Sequence, residues 1–198
     1  SEMCIRDRAK TDLGRPRVMW QQCVERALQC FPTGGGYHTG RNIPPGFRQT
    51  AWTGLDRAVR VTATGVCVDP YLATPSFCSS ATYLLLLKSL ELYEKTCGVM
   101  PPRKEWEYLK PYTVDNRPYP IQNDGVGAWG RANANGPGMA ELAHELKIGT
   151  NLYIGTTGEY ANLADRNEMF ASIRRYDFMK IFWNDEIGKD ERGHMVVV

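Results

Sequence analysis

The stretch from Cys78 to Cys97 constrains the fold more than any other part of this sequence. Asp69-Pro70 and Pro75 interrupt the backbone before it, and Gly98 offers a C-cap after it, so one helix is predicted between them. It is the most apolar helix in the chain and holds the longest apolar run, Tyr83 to Leu87. Lys88, Ser89 and Glu91 break that run far short of the length that spans a bilayer, so no integral membrane segment is expected. The end of the chain supplies a packing partner. Asp177-Phe178-Met179-Lys180-Ile181-Phe182-Trp183 reads as a strand largely apolar on both faces. Asn184 to Gly193 reads as a polar loop, and His194-Met195-Val196-Val197-Val198 as a second strand. Together they predict an antiparallel hairpin with His194, Val196 and Val198 on one face.

The rest of the chain is less regular. Pro16 to Cys30, with Val18, Met19, Trp20, Val24, Ala27 and Leu28 at helical spacing, predicts an amphipathic helix. Phe31 to Pro45 is a loop punctuated by Gly34-Gly35-Gly36 and Pro44-Pro45. Ala51 to Ala58 predicts a short helix, Arg60 to Val68 a strand, and Glu105 to Leu109 another short helix. Asn123 to Gly138 reads as a glycine-rich loop. It leads into a helix from Pro137 to Lys147 with Met139, Leu142, Ala143 and Leu146 on its apolar face. Asn151 to Ile154 is expected as a short strand and Asn162 to Arg174 as a helix. At 198 residues the chain suits one domain, residues 46–198, behind an N-terminal helical extension, residues 1–45. The opening Ser1-Glu2-Met3-Cys4-Ile5-Arg6-Asp7-Arg8 resembles translated adapter sequence at the ends of metagenomic reads. Residues 1–8 are therefore expected to be non-native, and the chain a fragment that stops inside its last strand at Val198.

Composition removes several function classes. With 42% hydrophobic and 23% charged residues the chain has the make-up of an ordinary globular domain. A net charge of +2, with Lys and Arg scattered rather than striped, gives no reason to expect a nucleic-acid partner. The 6 cysteines form no CxxC pair and no four-ligand spacing, so no metal is expected, and no cofactor is needed. Cys23, Cys30, Cys67 and Cys97 read as packing residues. Cys78 differs: it stands at a helix start among Ser76, Ser79, Ser80 and Thr82. The positive end of a helix dipole favours thiolate over thiol. The unpaired first-turn N–H groups, those of Cys78 and Ser79, can hold an oxyanion. The chain has 3 histidines. His144 falls mid-helix and His38 in a glycine-flanked loop, whereas His194 opens a strand just after Gly193. Cys78 as nucleophile and His194 as base are the parts of a cysteine hydrolase that cleaves an amide.

A cysteine followed by serine at a helix start, then an Asp-initiated apolar strand, a polar loop and a Gly-His-aliphatic strand, resembles the NlpC/P60 cell-wall amidases. These belong to the papain-like group that also includes the CHAP amidases. The resemblance covers Ser76 to Tyr83 and Asp177 to Val198. It implies an α+β papain-like fold, with the cysteine-bearing helix packed on an antiparallel sheet. It further implies a peptidoglycan stem peptide or other peptide as substrate, and a periplasmic or cell-wall location. The family's Tyr-x-Trp-Gly-Gly stretch has no counterpart before Cys78, where Val66-Cys67-Val68-Asp69-Pro70-Tyr71 stands instead. The long spacing from Cys78 to His194 implies an insertion over about Pro101 to Ile154. The family's third polar residue follows the histidine strand and is expected beyond Val198, with Asn184 or Asp185 as stand-ins from the loop. Two alternatives stay open: a transglutaminase-like acyltransferase with the same dyad, and a non-catalytic binding module.

Gly127-Ala128-Trp129-Gly130-Arg131-Ala132-Asn133-Ala134-Asn135-Gly136 is the remaining candidate. Trp129 offers a flat face, and Arg131, Asn133 and Asn135 offer hydrogen bonds. Trp129, Arg131 and Asn133 are therefore expected to line the cleft beside Cys78 and bind substrate. A plain connection into the Pro137 helix is the equal alternative. The segment is not a phosphate loop, because the Gly-Lys-Ser/Thr ending is absent.

Overall fold

The computed structural model describes residues 14–34, 55–63, 65–73, 76–98, 103–112, 118–119, 121–122, 125–134, 138–139, 142–143, 170–184 and 192–198. Helices and three separate antiparallel strand pairs make these residues an α+β arrangement. In chain order the elements are α1 (Gly14–Leu28), α2 (Leu55–Ala58), β1 (Val59–Thr62), β2 (Gly65–Val68) and a 3-10 turn (Pro70–Leu72). They continue with α3 (Cys78–Cys97), α4 (Arg103–Leu109), β3 (Ile121–Gln122), β4 (Gly125–Val126), α5 (Gly127–Ala132), β5 (Phe178–Phe182) and β6 (Gly193–Val197). The sheets are β1–β2, β3–β4 and β5–β6.

α3 organises the fold because its sequence leaves its middle no solvent face. Successive helical residues advance by about 100°, so Tyr83 to Leu87 point all round the axis, and all are buried. A helix apolar on every side needs neighbours on every side. α1 packs along it, β6 and β2 approach it from two different sheets, and α5 meets it too. Tyr83, Leu84, Leu86 and Leu87 join Leu55, Val59, Val68, Trp106, Leu109, Trp129, Leu142 and Met195 in the main core. Leu85 joins Val24, Ala27 and Tyr176 in a second core, which fastens α1 to α3. Each such side chain contributes about 1.5–3 kcal/mol when fully buried. Among the described residues no helix is long and apolar enough to cross a membrane.

The second half of α3 also buries charge. Glu91, 1% exposed, accepts the Val68 N–H at 3.1 Å and the Lys88 ammonium at 2.8 Å, and pairs with Lys95. Lys88 in turn donates to the Val68 carbonyl at 2.9 Å, so one ion-pair network pins β2 to α3. Glu94 accepts the Trp106 indole N–H at 3.0 Å, and the Tyr83 hydroxyl donates to the Leu109 carbonyl at 2.6 Å. Gly98 ends the helix as expected: its φ of 66° is left-handed, and its N–H closes on the Glu94 carbonyl.

Two expectations need correction. Arg60 to Val68 is a hairpin, not one strand: β1 and β2 pair with Val59 opposite Val68 and Thr62 opposite Gly65. The weak alternation of the sequence hides the reversal, which the Thr62 hydroxyl braces by donating to the Gly65 carbonyl at 2.9 Å. Asn123 to Gly138 is not all loop, since β4 and α5 lie within it. Its glycines suggest a coil, but Ala128, Trp129 and Ala132 bury a side of α5, and packing overrides propensity. The Asp177–Trp183 and His194–Val198 hairpin forms as β5–β6, with Ile181 opposite His194 and Lys180 opposite Met195. Met139 and Leu142 are helical and buried, whereas the strand expected at Asn151–Ile154 lies outside the described residues.

Candidate active site

Cys78 is the first residue of α3. Phe77, the N-cap, is extended (φ −142°, ψ 177°) and has no side-chain acceptor, so it leaves the first-turn N–H groups uncapped by its own side chain. Serines shape the turn in other ways. The Phe77 N–H donates to Ser80 Oγ at 3.0 Å, Ser80 Oγ donates back to the Phe77 carbonyl at 3.0 Å, and Ser76 Oγ lies 2.8 Å from Ser80 Oγ. Thr82 Oγ1 donates to the carbonyls of Cys78 and Ser79 at 2.8 and 3.2 Å. The Cys78 thiol is free and half-buried, packed on the edge of the main core. Its sulfur lies 3.7 Å from Ser79 Oγ, which accepts the buried Ala134 N–H at 2.7 Å.

That last bond brings the 127–134 segment to the cysteine helix, in a different role from the one expected of it. Trp129 is 0% exposed and packs edge-on against Phe77 (ring centroids 6.3 Å apart) and at a tilt against Tyr83 (5.3 Å). An indole with no accessible face cannot stack on a substrate, so Trp129 builds the wall behind the N-cap. Asn133 is 1% exposed; its amide donates to the carbonyls of Trp129 and Gly130 at 3.3 and 3.0 Å and closes α5. Arg131 is half-buried, and its carbonyl accepts the Gly138 N–H at 2.8 Å. Trp129 and Asn133 therefore act as core and cap in this structure. A tryptophan and an asparagine among glycines suit either role in sequence, and these two residues fit the plain connection that stood as the equal alternative.

His194 is the second residue of β6, and strand register decides which way it points. Met195 lies in the main core, Val197 packs on the second core, and Phe178 touches both. By pairing and alternation, Phe178, Lys180, Met195 and Val197 share the face turned to α3. Met179, Ile181, His194 and Val196 fall on the other face, where Ile181 is 42% exposed. Gly193 precedes the histidine for a steric reason: a Cβ there would collide with the Ile181 carbonyl oxygen. Both residues are described, and no hydrogen bond joins Cys78 to His194. The hairpin places the histidine strand against the cysteine helix with its imidazole on the outer face. His38, His144 and Asp185 lie outside the described residues.

The other thiols differ from Cys78. Cys23 is buried; burial, and then the neighbouring Cys97 thiol, push it above the ordinary thiol range. Cys67 is half-buried on β2, opposite Arg60, whose guanidinium lies 3.7 Å from its sulfur. That cationic neighbour was invisible while residues 60–68 read as one strand, since only the hairpin register brings it across. Among the described residues no group of three or more His, Cys, Asp or Glu is arranged to hold a metal ion. No protein-family model matches the chain, and no curated protein or solved structure shows significant similarity to it.

Proposed function

We propose that this chain is a cysteine-dependent amidase or peptidase of the papain-like, NlpC/P60 kind. The single observation that supports it is the placement of Cys78: a free thiol on the first residue of a 20-residue helix whose N-cap, Phe77, has no capping side chain. In the proposed reaction the Cys78 thiolate forms a C–S bond to an amide carbonyl carbon. The oxyanion is held by the N–H groups of Cys78 and Ser79. The base that takes the thiol proton gives it to the leaving amine as the C–N bond breaks, the role that the resemblance gives to His194. Water then hydrolyses the thioester and regenerates the thiol. The substrate class, a peptide amide of peptidoglycan, comes from the resemblance at Ser76–Tyr83 and Asp177–Val198. His194 enters on the same ground, and its outward position makes it the member to test hardest.

One observation favours a rival, a module in which Cys78 only packs: Trp129 and Asn133 are buried rather than open to a ligand. Digestion of purified muropeptides by the wild type, Cys78→Ala and His194→Ala separates the two. The amidase reading expects turnover by the wild type, background rates for Cys78→Ala, and a loss of about 10²–10⁴-fold for His194→Ala. Wild-type protein without amide-cleaving activity, or equal activity in Cys78→Ala, overturns the reading. Activity that needs Cys78 but not His194 keeps the nucleophile and removes the base.

A further inference from the structure

We infer that Ser79 is a positioning residue for the Cys78 sulfur: its hydroxyl, anchored by the Ala134 N–H, donates its proton to Sγ. The inference rests on the reading of Cys78 as nucleophile and adds to it a residue whose side chain had no assigned role. A serine hydroxyl has one proton to donate and two lone pairs to accept with. The Ala134 N–H, at 2.7 Å, occupies a lone pair and leaves the proton to be placed. Ser79 is 1% exposed, so water is not at hand, and an unplaced buried donor is costly. The acceptor within reach is Cys78 Sγ at 3.7 Å.

Ionisation fixes the direction of this contact. A thiolate carries no proton, so the bond then runs from Ser79 O–H to sulfur, and hydrogen bonds to a charged acceptor are the stronger kind. Ala134 sets the rotor: its N–H must meet a lone pair, which limits where the hydroxyl proton can swing. Thr82 Oγ1 holds the carbonyls of both Cys78 and Ser79, so the backbone beneath the two side chains is also fixed. α5, which meets α3, carries Arg131, and Lys180 lies on the hairpin face toward α3; His194 lies on the opposite hairpin face. Residue 134 thereby acts on the sulfur without touching it.

The test is the pH profile of Cys78 alkylation by iodoacetamide, resolved from Cys67 and the other thiols by peptide mass mapping. It compares wild type, Ser79→Ala and Ser79→Thr, each with a thermal unfolding curve. Loss of a charge-assisted donor is expected to slow Ser79→Ala about five- to tenfold at neutral pH and move its profile to higher pH. Ser79→Thr, which keeps the hydroxyl, is expected to restore the wild-type profile. A Ser79→Ala profile that superimposes on the wild type overturns the inference. So does a slowed Ser79→Ala that Thr fails to restore in a folded protein, because the loss then belongs to packing. If Ser79→Ala does not fold, Ser79→Cys serves in its place: a thiol is a weak donor, and the same slowing is expected, with an unshifted profile counting against the idea. Failure of the underlying reading looks different. There the wild-type Cys78 alkylates no faster than Cys67, and Cys78→Ala keeps the muropeptide activity.

Discussion

In the second half of α3, Glu91 sits in the core with each of its oxygens answered: by the Val68 N–H and Lys88 on one, and by Lys95 on the other. Glu94 has the Trp106 indole, and the Gly98 N–H closes the last turn. In the first turn the pattern inverts. Phe77 offers no capping side chain, and the thiol that opens the helix is free. A fully paired buried network fixes one arrangement and is costly to break. An uncapped end forgoes the stabilisation of a good N-cap, about 1 kcal/mol, and keeps its donors available. One helix thus holds both regimes, a paired end around Glu91 and an end whose N-cap side chain offers no acceptor.

Substitutions at the two ends break or sharpen that contrast. Glu91→Ala strands Lys88 and the Val68 N–H in the core, so it is expected to cost about 3–5 kcal/mol in urea unfolding. A loss below about 1 kcal/mol would place the network among ordinary surface pairs and erase the contrast. Tyr83→Phe removes the buried bond to the Leu109 carbonyl and is expected to cost about 1–2 kcal/mol. It also has a pH signature. Burial, and secondarily Tyr108, hold the Tyr83 phenol well above its usual value of about 10, so the fold favours the neutral form. The stability this gives is complete below pH about 10 and is lost as the pH rises beyond it, because only the unfolded chain ionises there. Tyr83→Phe should therefore flatten part of the alkaline fall in a titration of unfolding free energy. Tyr112, raised by burial and by its bond to Glu107, contributes with the same sign. Gly98→Ala forces a Cβ into a left-handed cap and is expected to cost about 1 kcal/mol, measured as a lowered Tm. Cys78→Ala closes the series: less than about 0.5 kcal/mol of stability, against complete loss of the proposed turnover. A large stability loss there would make Cys78 a packing residue.

What could be read in the sequence follows the same division. α3 was legible from end to end, because Pro75, the leucine run and Gly98 are strong local signals that agree with one another. The β5–β6 hairpin was legible for the same reason, and its register puts His194 and Val196 on one face as alternation required. Which face that is could not be read. Met195 and Val196 are equally apolar, and only contact with α3 shows that Met195 goes inward. The β1–β2 reversal was missed because Thr62 to Gly65 lacks the Asn-Gly or Asp-Gly pair that announces a tight turn. Which of its two readings Trp129 fits could not be read, because its burial is decided by Phe77 and Tyr83, both distant in sequence. Cys78 at a helix start was a local reading; Ser79 meeting Ala134 was not.

The bond between Ser79 and Ala134 spans 55 residues of chain, and that separation has a consequence in time. α3 draws on local contacts and can form early, whereas closing a long loop must wait until its distant end has docked. During synthesis residue 78 leaves the ribosome well before residue 134, and before the strand that carries His194. For that interval the nascent chain holds its thiol on a finished helix with nothing yet delivered to orient it. On the proposed reading of Cys78 as nucleophile, competence would be a late acquisition of the folding chain, and a half-folded protein would carry the cysteine without the surroundings that orient it.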